Sequence, residues 1–477
     1  MCGGQARLSR FKTDASRIVP RAGDFDVIVA GSAEAVLAAL ESGRIAASSV
    51  RGAALIGPGE VPLPVLTRAA TWHSLDLTAC QPRALLLAET PPNGAAARAV
   101  LDRAGAARMH VFMLDDAGMR PLRLDDLLGA PLRAMYWARI RSMLEGKKVL
   151  ITGGGGSIGG ELARRIAGFA PARLTLLDSS EHNLHEIGLQ LRQARLALAD
   201  IRDEAAMRRW FVKEQPDIVF HTAALKQVPV VEQFPSEGVL TNICGLRHVA
   251  EAAHTVGADL IFVSTDKAVD PSGVMVATKR FGEIYCQALD RRGAHRAIPV
   301  RLGNVLGSSG SVAPLFASQL AAGGPLTVTH PEVTRFFLTI PQAADALLQA
   351  ASVGLETPAR GAAFVIDMGE ALPVVELARM VIQLAALQPD VDVPIAFTGL
   401  RPGEKLHEQL VASNEWHEVE PAPGVTAAAS APRTLAEVHE NMAALAALAR
   451  QGADADVRTA LFEAIGVRRD EDLAAAG

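Results

Sequence analysis

Short apolar runs alternate with amphipathic stretches along most of the chain, from residue 25 to residue 304. The runs are bounded by glycine, proline or polar residues, which is typical of strands buried on both faces of a parallel sheet. In the intervening stretches apolar residues recur at helical spacing, as at Phe281, Ile284 and Leu289. Strands that alternate with helices predict an α/β protein with doubly wound parallel sheets. The predicted strands include 27–31, 53–56, 84–87, 110–114, 174–177, 196–199, 218–224, 260–263 and 298–304.

This alternation begins twice, at Phe25 and again at Lys147, so two α/β units are predicted. Residues 305–410 are less regular and indicate a smaller mixed domain that mainly binds substrate. An Ala/Pro-rich stretch near 421–432 indicates a linker, and Ala-rich helices are expected to follow it. The predicted boundaries are a tail at 1–24, an accessory Rossmann-like domain at 25–125, a connector at 126–146, a catalytic Rossmann domain at 147–304, the smaller domain at 305–410, and the linker with its helices at 411–477.

Composition narrows the protein class without naming a function. The 477 residues are 49% hydrophobic and 21% charged, with a net charge of −5. Because there is no basic block, nucleic acid is not an expected partner. No apolar run reaches the roughly 18 residues of a membrane span. The four cysteines are scattered, without the spacing of a metal site or a disulfide framework, so a cytoplasmic protein without a structural metal is predicted.

A glycine-rich turn follows the first strand of the second unit. Gly153, Gly156 and Gly159 form a GxxGxxG pattern around Ser157 and Ile158, and a helical pattern begins there. Glycines let the backbone approach a pyrophosphate, and the helix N-terminus supplies free N–H groups. The strand before the pattern and the helix after it make a dinucleotide site a better explanation than a plain turn.

Two acidic residues at strand ends and one small residue complete the predicted cofactor site. Asp178 ends the strand 174–177, where a carboxylate accepts from ribose hydroxyls and repels a 2′-phosphate, so NAD is favoured over NADP. Asp178 as a helix cap or turn residue is the alternative. Asp200 would reach the adenine edge or would simply form a turn, and Ala223 is small enough for a cofactor to lie close. The first unit has Gly31 at the matching turn but no GxGxxG, which favours a packing or assembly role over a regulatory nucleotide site.

The chemistry-bearing stretch follows the strand 260–263. It contains Thr265, Asp266 and Lys267 at the carboxyl end of that strand, where open α/β sheets bind their ligands. Lys279 follows on a helix, and the residue four positions before it is Met275 rather than tyrosine. A hydride-transfer site built on this stretch would therefore work without a phenol.

Candidate substrate contacts are more dispersed, and each is ambiguous when taken singly. Asn304 ends a strand, and the hydroxyl-rich loop that leads to Ser311 suits a sugar or an anion, although a plain loop has the same composition. Arg335 and Arg401 would bind a diphosphate bidentately, whereas most single arginines are solvated. Lys226, at the end of the fourth strand of the second unit, and Glu404, beside Arg401, complete the predicted substrate set.

Taken together and in this order, the motifs resemble the CapD-like polysaccharide biosynthesis proteins, which are extended short-chain dehydrogenases acting as UDP-N-acetylglucosamine 4,6-dehydratases. The resemblance covers residues 147 to about 410, and the segment 25–145 is similar to the accessory domain of the family. The matching strings are Thr152-Gly-Gly-Gly-Gly-Ser-Ile-Gly159, His221-Thr-Ala-Ala-Leu-Lys226, Ser264-Thr-Asp-Lys-Ala-Val269 with Met275 and Lys279, Arg301-Leu-Gly-Asn-Val-Leu-Gly-Ser-Ser-Gly310, Thr329-His-Pro-Glu-Val-Thr-Arg335 and Arg401-Pro-Gly-Glu-Lys405.

The resemblance implies an extended Rossmann-type fold, a UDP-sugar substrate, a homo-oligomer, and NAD that takes a hydride from C4 and returns it at C6. It implies that Lys267 is the base for the C5 proton and that Asp266 is the acid at the C6 oxygen. Thr265 would orient the C4 hydroxyl, and Lys279 would hold the nicotinamide ribose. Met275, a variant found within the family, cannot take a proton, so the C4 proton must leave through Thr265, Asp266 or water.

Two further points bear on the resemblance. Long family members carry membrane helices before the accessory domain, and this sequence shows no such apolar span. The nearest rival function is a UDP-sugar 4-epimerase, which needs neither an acid at C6 nor a base at C5, so the pair Asp266 and Lys267 favours dehydration. An inactive NAD-binding sensor is the third possibility, and it would be expected to lose Lys267 or Lys279.

Overall fold

The computed structural model describes residues 26–45, 49–78, 80, 84–116, 118–128, 135–293, 295–401 and 403–467. These residues form two compact units. The first unit lies within Met1–Ala130, Gly310–Arg335 and Ala371–Leu400, and the second within Pro131–Ser309, Phe336–Glu370 and Arg401–Gly477. The predicted tail at 1–24 lies outside the described residues.

The first unit contains a six-stranded sheet with strand order β3-β2-β1-β4-β5-β6. All neighbours are parallel except β5 and β6, which pair antiparallel. The central strands β1 and β4 are buried along their whole length, as their unbroken apolar sequences predict. The elements are β1 Val27–Gly31, α1 Ala33–Glu41, β2 Val50–Ile56, β3 Val65–Ala69, β4 Ala84–Leu87, α2 Gly94–Ala106, β5 His110–Asp115, β6 Gly118–Pro121 and α3 Leu124–Leu128.

Side chains of the protein occupy the first βα turn of this unit. Ser32 caps α1, with its Oγ accepting from the Ala35 N–H at 3.2 Å. The Glu89 carboxylate then accepts from the Ser32 N–H at 2.7 Å and from the Ser32 hydroxyl at 3.2 Å. A carboxylate thus sits at the helix N-terminus, where nucleotide phosphates bind in this kind of fold. This geometry favours the packing or assembly role over a phosphate site at this turn.

The second unit is built on parallel strands in the spatial order β9-β8-β7-β10-β11-β12. The order reverses between β7 and β10, which is the topological switch point of a Rossmann fold. The α/β, doubly wound fold class predicted from the sequence is therefore confirmed. The elements are α4 Trp137–Leu144, β7 Lys148–Thr152, α5 Ser157–Ala167, β8 Arg173–Asp178, α6 Glu181–Gln190, β9 Arg195–Leu198, α7 Glu204–Glu214, β10 Ile218–His221, α8 Val228–Gln233, α9 Pro235–Gly238, a π-helix Val239–Cys244, α10 Gly245–Val256, β11 Asp259–Thr265, α11 Val274–Arg292 and β12 Ala297–Leu302.

Alternate residues of the central strands pack into two separate cores. In β11, Leu260 and Phe262 join the core under α10 and α11, whereas Ile261 and Val263 join the core under α5. Helices thus cover both faces of the sheet, which explains why its strands are continuous apolar runs. The helix α11 is buried over most of its length.

The segment predicted as one substrate domain at 305–410 is divided between the two units. β13 Asn304–Val305 pairs with β16 Phe337–Leu338, and both belong to the second unit. In the first unit, α14 packs beside α2, where Gln383 donates to Asp102 at 2.9 Å. The remaining elements are α12 Val312–Ala321, β14 Leu326–Val328, β15 Thr334–Arg335, α13 Ile340–Glu356, β17 Ala362–Ile366, β18 Leu372–Pro373, α14 Val374–Leu384 and β19 Ile395–Phe397.

The expected linker near 421–432 is instead part of a β-hairpin. β20 Trp416–Ala422 and β21 Val425–Ala429 extend the main sheet antiparallel beside β17, which itself lies parallel to β12. The sheet therefore has nine strands. Helices do follow, as expected: α15 Leu435–Arg450 and α16 Asp454–Ile465 pack over α11. Among the described residues, no helix is both long and apolar enough to cross a membrane.

Candidate functional site

The glycine-rich turn between β7 and α5 has room for backbone atoms only. Gly153 has a φ of +68°, and a Cβ there would lie 2.8 Å from the Ala223 N. A Cβ on Gly159 would lie 2.1 Å from the Gly153 carbonyl oxygen. The helix α5 begins at Ser157 with its N-terminal N–H groups facing this turn. Such a cradle fits the pyrophosphate of a dinucleotide.

Asp178 supports the turn and also lines the cleft beside it. Its Oδ2 accepts from the Gly155 N–H at 3.1 Å, and its Oδ1 accepts from the Ser180 N–H at 2.9 Å. Asp178 therefore supports a turn, as the alternative in the sequence analysis proposed, and it also faces the cleft. Asp200 likewise accepts from the Arg202 N–H at 2.9 Å and lines the same cleft.

The cleft at the switch point has a volume of about 410 Å³. Every predicted cofactor residue except Lys279 lines it, and Lys226, predicted as a substrate contact, lines it as well. Sequence reasoning missed several lining residues. Thr222 could have been found, because it directly follows a strand end, where ligands bind in this fold. Other missed residues include Ser179, Asn183, Ile201, Arg202, Leu225 and Thr241. Ser308 and Ser309 also line the cleft, and they belong to the hydroxyl-rich loop that was expected to suit a sugar or an anion. The residues present fit an adenine dinucleotide, since a glycine cradle, a helix N-terminus and an acidic strand end meet in one cleft.

Thr265, Asp266 and Lys267 form a hydrogen-bonded group at the end of β11. Asp266 is fully buried, and its Oδ1 accepts from the Thr265 hydroxyl at 2.9 Å, the Lys267 N–H at 2.8 Å and the Lys267 Nζ at 2.9 Å. Lys267 Nζ also donates to the Asn304 Oδ1 at 2.5 Å. The second oxygen, Asp266 Oδ2, is buried and has no partner among the described residues. An unpartnered carboxylate oxygen is costly to bury, so this atom is suited to meet a ligand.

Lys279 lies in a buried position on α11. Its Nζ donates to the Val263 carbonyl at 2.9 Å and stands 4.7 Å from the centre of the Phe262 ring. Burial lowers the pKa of Lys279 from 10.5 to about 8. His221, to which sequence reasoning gave no role, shares a hydrogen bond of 2.7 Å with Thr152. Burial and the Lys279 charge lower the pKa of His221 to about 3, so this imidazole is neutral at physiological pH.

Two further residues of the helical segments are buried, and one of them links two parts of the fold. Met275 is buried in the first turn of α11. Asn242, in the π-helix, accepts from the Leu225 N–H at 2.8 Å and donates to the Leu225 carbonyl at 2.9 Å. It also donates to the Thr278 hydroxyl at 3.0 Å, so it ties the loop after β10 to α11. Asn242 therefore connects the end of the cleft to the helix that carries Lys279.

The predicted substrate residues do not all belong to one unit. Asn304 contacts Lys267 within the second unit, and Arg401 and Glu404 also belong to that unit. Arg401 is exposed, and its N–H donates to the Glu404 Oε2 at 3.2 Å. Arg335 and Ser311 belong to the first unit. Arg335 is buried rather than solvated and donates to the Thr334 carbonyl at 2.8 Å, whereas Ser311 precedes α12 with its hydroxyl buried.

Comparison with known proteins identifies the family. The model of a family described as "Polysaccharide biosynthesis protein" matches residues 149–430. The probable polysaccharide biosynthesis protein EpsC of Bacillus subtilis is 42% identical over 63% of this chain and 50% of its own length. The capsular polysaccharide biosynthesis protein CapD of Staphylococcus aureus is 40% identical over 64% of this chain and 51% of its own length.

A more distant relative carries a different name. The UDP-glucose 4-epimerase of Rickettsia akari is 33% identical over 57% of this chain and 80% of its own length. The chain spans about half the length of EpsC and CapD. The family match covers more than half of the chain and includes the glycine turn, the Thr265–Lys267 group and Arg401. This chain therefore belongs to the polysaccharide biosynthesis protein family.

Proposed function

We propose that this protein is an NAD-dependent 4,6-dehydratase that converts UDP-N-acetylglucosamine to UDP-4-keto-6-deoxy-N-acetylglucosamine. One observation carries the proposal. A buried carboxyl group and an amine lie 2.9 Å apart at the carboxyl end of β11, a central strand of the Rossmann unit. Dehydration across C5 and C6 needs a base and an acid close together, and Asp266 with Lys267 supplies both.

The protein's own part in the cofactor chemistry is to bind and orient it. NAD, when bound, would take the hydride from C4 and return it at C6. Gly153, Gly156 and Gly159 would hold its pyrophosphate and Asp178 its adenosine ribose, which favours NAD over NADP. Lys279 would hold the nicotinamide ribose, a role that the resemblance to the family implies.

The hydrogen-bonded group explains how the site works without a tyrosine. With Lys267 neutral and Asp266 ionised, Thr265 can pass the C4 hydroxyl proton to the Asp266 carboxylate, because the two side chains are hydrogen-bonded at 2.9 Å. Asp266 then gives this proton to the departing C6 hydroxyl, while Lys267 takes the proton from C5. The loss of water leaves Lys267 protonated beside ionised Asp266, and the 2.9 Å separation of the two side chains allows such an ion pair. Lys267 returns its proton to C5, and the starting protonation state is restored.

The rival epimerase reaction has no use for this pair. A 4-epimerase removes and returns hydride at C4 and leaves C5 and C6 untouched, so neither a buried acid nor a lysine base beside it is required. The relationship to an epimerase of Rickettsia akari keeps this reaction as an outcome that the experiment must be able to detect. Formation of UDP-N-acetylgalactosamine without loss of water would show that the epimerase function is correct.

The decisive experiment follows the C5 proton. Wild type and Lys267→Met are incubated with UDP-N-acetylglucosamine in deuterated water, and products are examined by mass spectrometry and by NMR at C5. Wild type should lose water and place solvent deuterium at C5. Because loss of a general base costs roughly a hundred- to ten-thousandfold, Lys267→Met should lose both activities. It should still bind NAD, since the glycine turn and Asp178, which would hold the cofactor, are unchanged in this variant.

A matched control separates the lost amine from general effects of the substitution. Lys213→Met removes an exposed lysine that lies over the Trp210 ring on α7, far along the chain from the site, and should leave both activities unchanged. If Lys267→Met still incorporates deuterium at C5 at a near-wild-type rate, Lys267 is not the base. Net accumulation of NADH during turnover would instead indicate a simple dehydrogenase.

A further inference from the structure

Four charged side chains are buried together behind the catalytic group. Arg280 and Glu283 lie on α11, Arg301 lies on β12, and Glu415 immediately precedes the hairpin strand β20. The side chains of Glu283, Arg301 and Glu415 are 0% exposed, and that of Arg280 is 12% exposed. We call these residues the four-charge cluster. Its two arginines and two glutamates balance in charge, as burial at such a depth requires.

Arg301 stands at the centre of the cluster and uses all of its N–H groups. It donates to the two Glu283 oxygens at 2.9 and 2.8 Å and to the two Glu415 oxygens at 2.7 and 2.6 Å. Its remaining bond goes to the Leu410 carbonyl at 3.0 Å. Such bidentate pairs fix the orientation of both partners, because the guanidinium fork is planar and rigid.

Arg280 and a serine complete the cluster and connect it to the site. The Arg280 Nη1 donates to Glu283 at 3.0 Å and to Glu415 at 2.8 Å. The Ser264 hydroxyl donates to Glu283 at 2.7 Å. Ser264 directly precedes Thr265, and Arg280 directly follows Lys279. The cluster therefore contacts Ser264 and contains Arg280. These residues are adjacent in sequence to Thr265 and Lys279, which the proposed mechanism uses.

On the other side, the cluster holds one end of the segment 403–415, which we call the strap. Glu415 accepts from the Ala412 N–H at 3.0 Å, so the carboxylate that meets Arg301 also shapes the end of the strap. At the beginning of the strap, Lys405 donates to the Val269 carbonyl at 2.6 Å, and the Gly403 carbonyl accepts from the Ser272 hydroxyl. The strap is thus fastened at both ends to the catalytic sheet and to the loop after Lys267.

We infer that Glu415 is a positioning residue of the active site. It acts through Arg301 to hold the strap, and with it Arg401 and Glu404, at the substrate end of the site. The inference rests on the proposed function only for its kinetic consequences. Removing the Glu415 charge leaves two buried arginines against one glutamate and weakens the hold of Arg301 on the strap, which then rests mainly on the bond to the Leu410 carbonyl. The strap should then open locally while the sheet stays folded.

The test measures amide hydrogen exchange and kinetics on Glu415→Gln. Amides of the strap should exchange at least tenfold faster than in wild type, and those of β11 and β12 should not. The KM for UDP-N-acetylglucosamine should rise at least tenfold with kcat changed less than threefold, because the lost contribution is to substrate binding. NAD affinity should be unchanged, since no residue of the cluster or the strap lines the cofactor cleft.

Two further variants distinguish positioning from stability. Arg280→Gln/Glu415→Gln restores charge balance, so it should recover thermal stability while the fast strap exchange and the high KM remain. Asp290→Asn breaks a different buried ion pair, to Arg296 at 2.8 Å, near the far end of the same helix. It should lower thermal stability without accelerating strap exchange.

If strap exchange in Glu415→Gln is no faster than in Asp290→Asn, the inference is overturned, and the cluster is only a structural ion pair. If wild type neither binds nor turns over the UDP-sugar, the proposed function fails, and the exchange data alone still decide whether Glu415 holds the strap.

Discussion

Lys279 provides the most quantitative test. Burying its charged amine lowers the free energy of unfolding, and the size of this effect changes with pH. Its pKa falls from 10.5 to about 8 in the folded protein, chiefly through burial, with Cys286 and Glu283 opposing the change. Between these two pH values the unfolded chain binds more protons than the folded protein. The free energy of unfolding therefore rises with pH in this window. Below pH 8 both states are protonated, and the full cost of burying the charge is present.

The magnitude follows from the difference between 10.5 and about 8, which is about 2.5 pKa units. At about 1.4 kcal/mol per unit, the buried charge costs roughly 3 kcal/mol at neutral pH. Lys279→Met removes this cost and loses the bond of the charged amine to the Val263 carbonyl, worth about 1.5–3 kcal/mol, and the contact with the Phe262 ring, worth about 0.5–2 kcal/mol. We therefore expect a variant within about 2 kcal/mol of wild type at pH 7 and without the alkaline gain.

The assay is urea unfolding of cofactor-free protein at several pH values from 7 to 9.5. A Trp72→Phe background leaves the fluorescence to Trp137, Trp210 and Trp416, all in the second unit. From pH 7 to pH 9.5 wild type should gain about 2 kcal/mol relative to Lys279→Met, because other titrating groups are common to both. Parallel stability curves for the two proteins would refute the argument that burial depresses the amine.

Three other substitutions test the remaining parts of the site. Gly159→Ala places a methyl group 2.1 Å from the Gly153 oxygen, so NAD affinity measured by calorimetry should fall at least about tenfold with the circular dichroism spectrum unchanged. An unchanged affinity would show that the turn holds no pyrophosphate. Asp178→Ser removes a charge that repels a 2′-phosphate, so the ratio of NAD to NADP affinity should fall, and a constant ratio would count against the ribose contact. Arg401→Ala should raise the KM for the UDP-sugar about ten- to a hundredfold at constant kcat. An unaltered KM would place this guanidinium in solvent.

Local sequence was sufficient to predict the α/β architecture and to place the candidate site residues at strand ends. The strands β7, β8, β10 and β11 are apolar runs because helices cover both faces of their sheet, and such runs are legible without a structure. Parallel strands place their carboxyl ends at one edge, so the glycine turn and the residues Thr265 to Lys267 were each predicted to lie at that edge. Each of these signals is a pattern of residues close together in the sequence, so it can be recognised without the tertiary structure.

Tertiary structure alone decided the contacts that join distant segments. Lys267 meets Asn304 across 37 residues, and Arg301 meets Glu415 across 114 residues, through long-range packing that no local pattern encodes. The stretch that contains Ala427, Ala428 and Ala429 resembles a linker because alanine has low strand propensity. It nevertheless forms the buried strand β21, since pairing with β17 satisfies its backbone and the core covers its side chains. The low strand propensity of alanine is outweighed by this pairing and burial, so β21 could be recognised only from the tertiary structure.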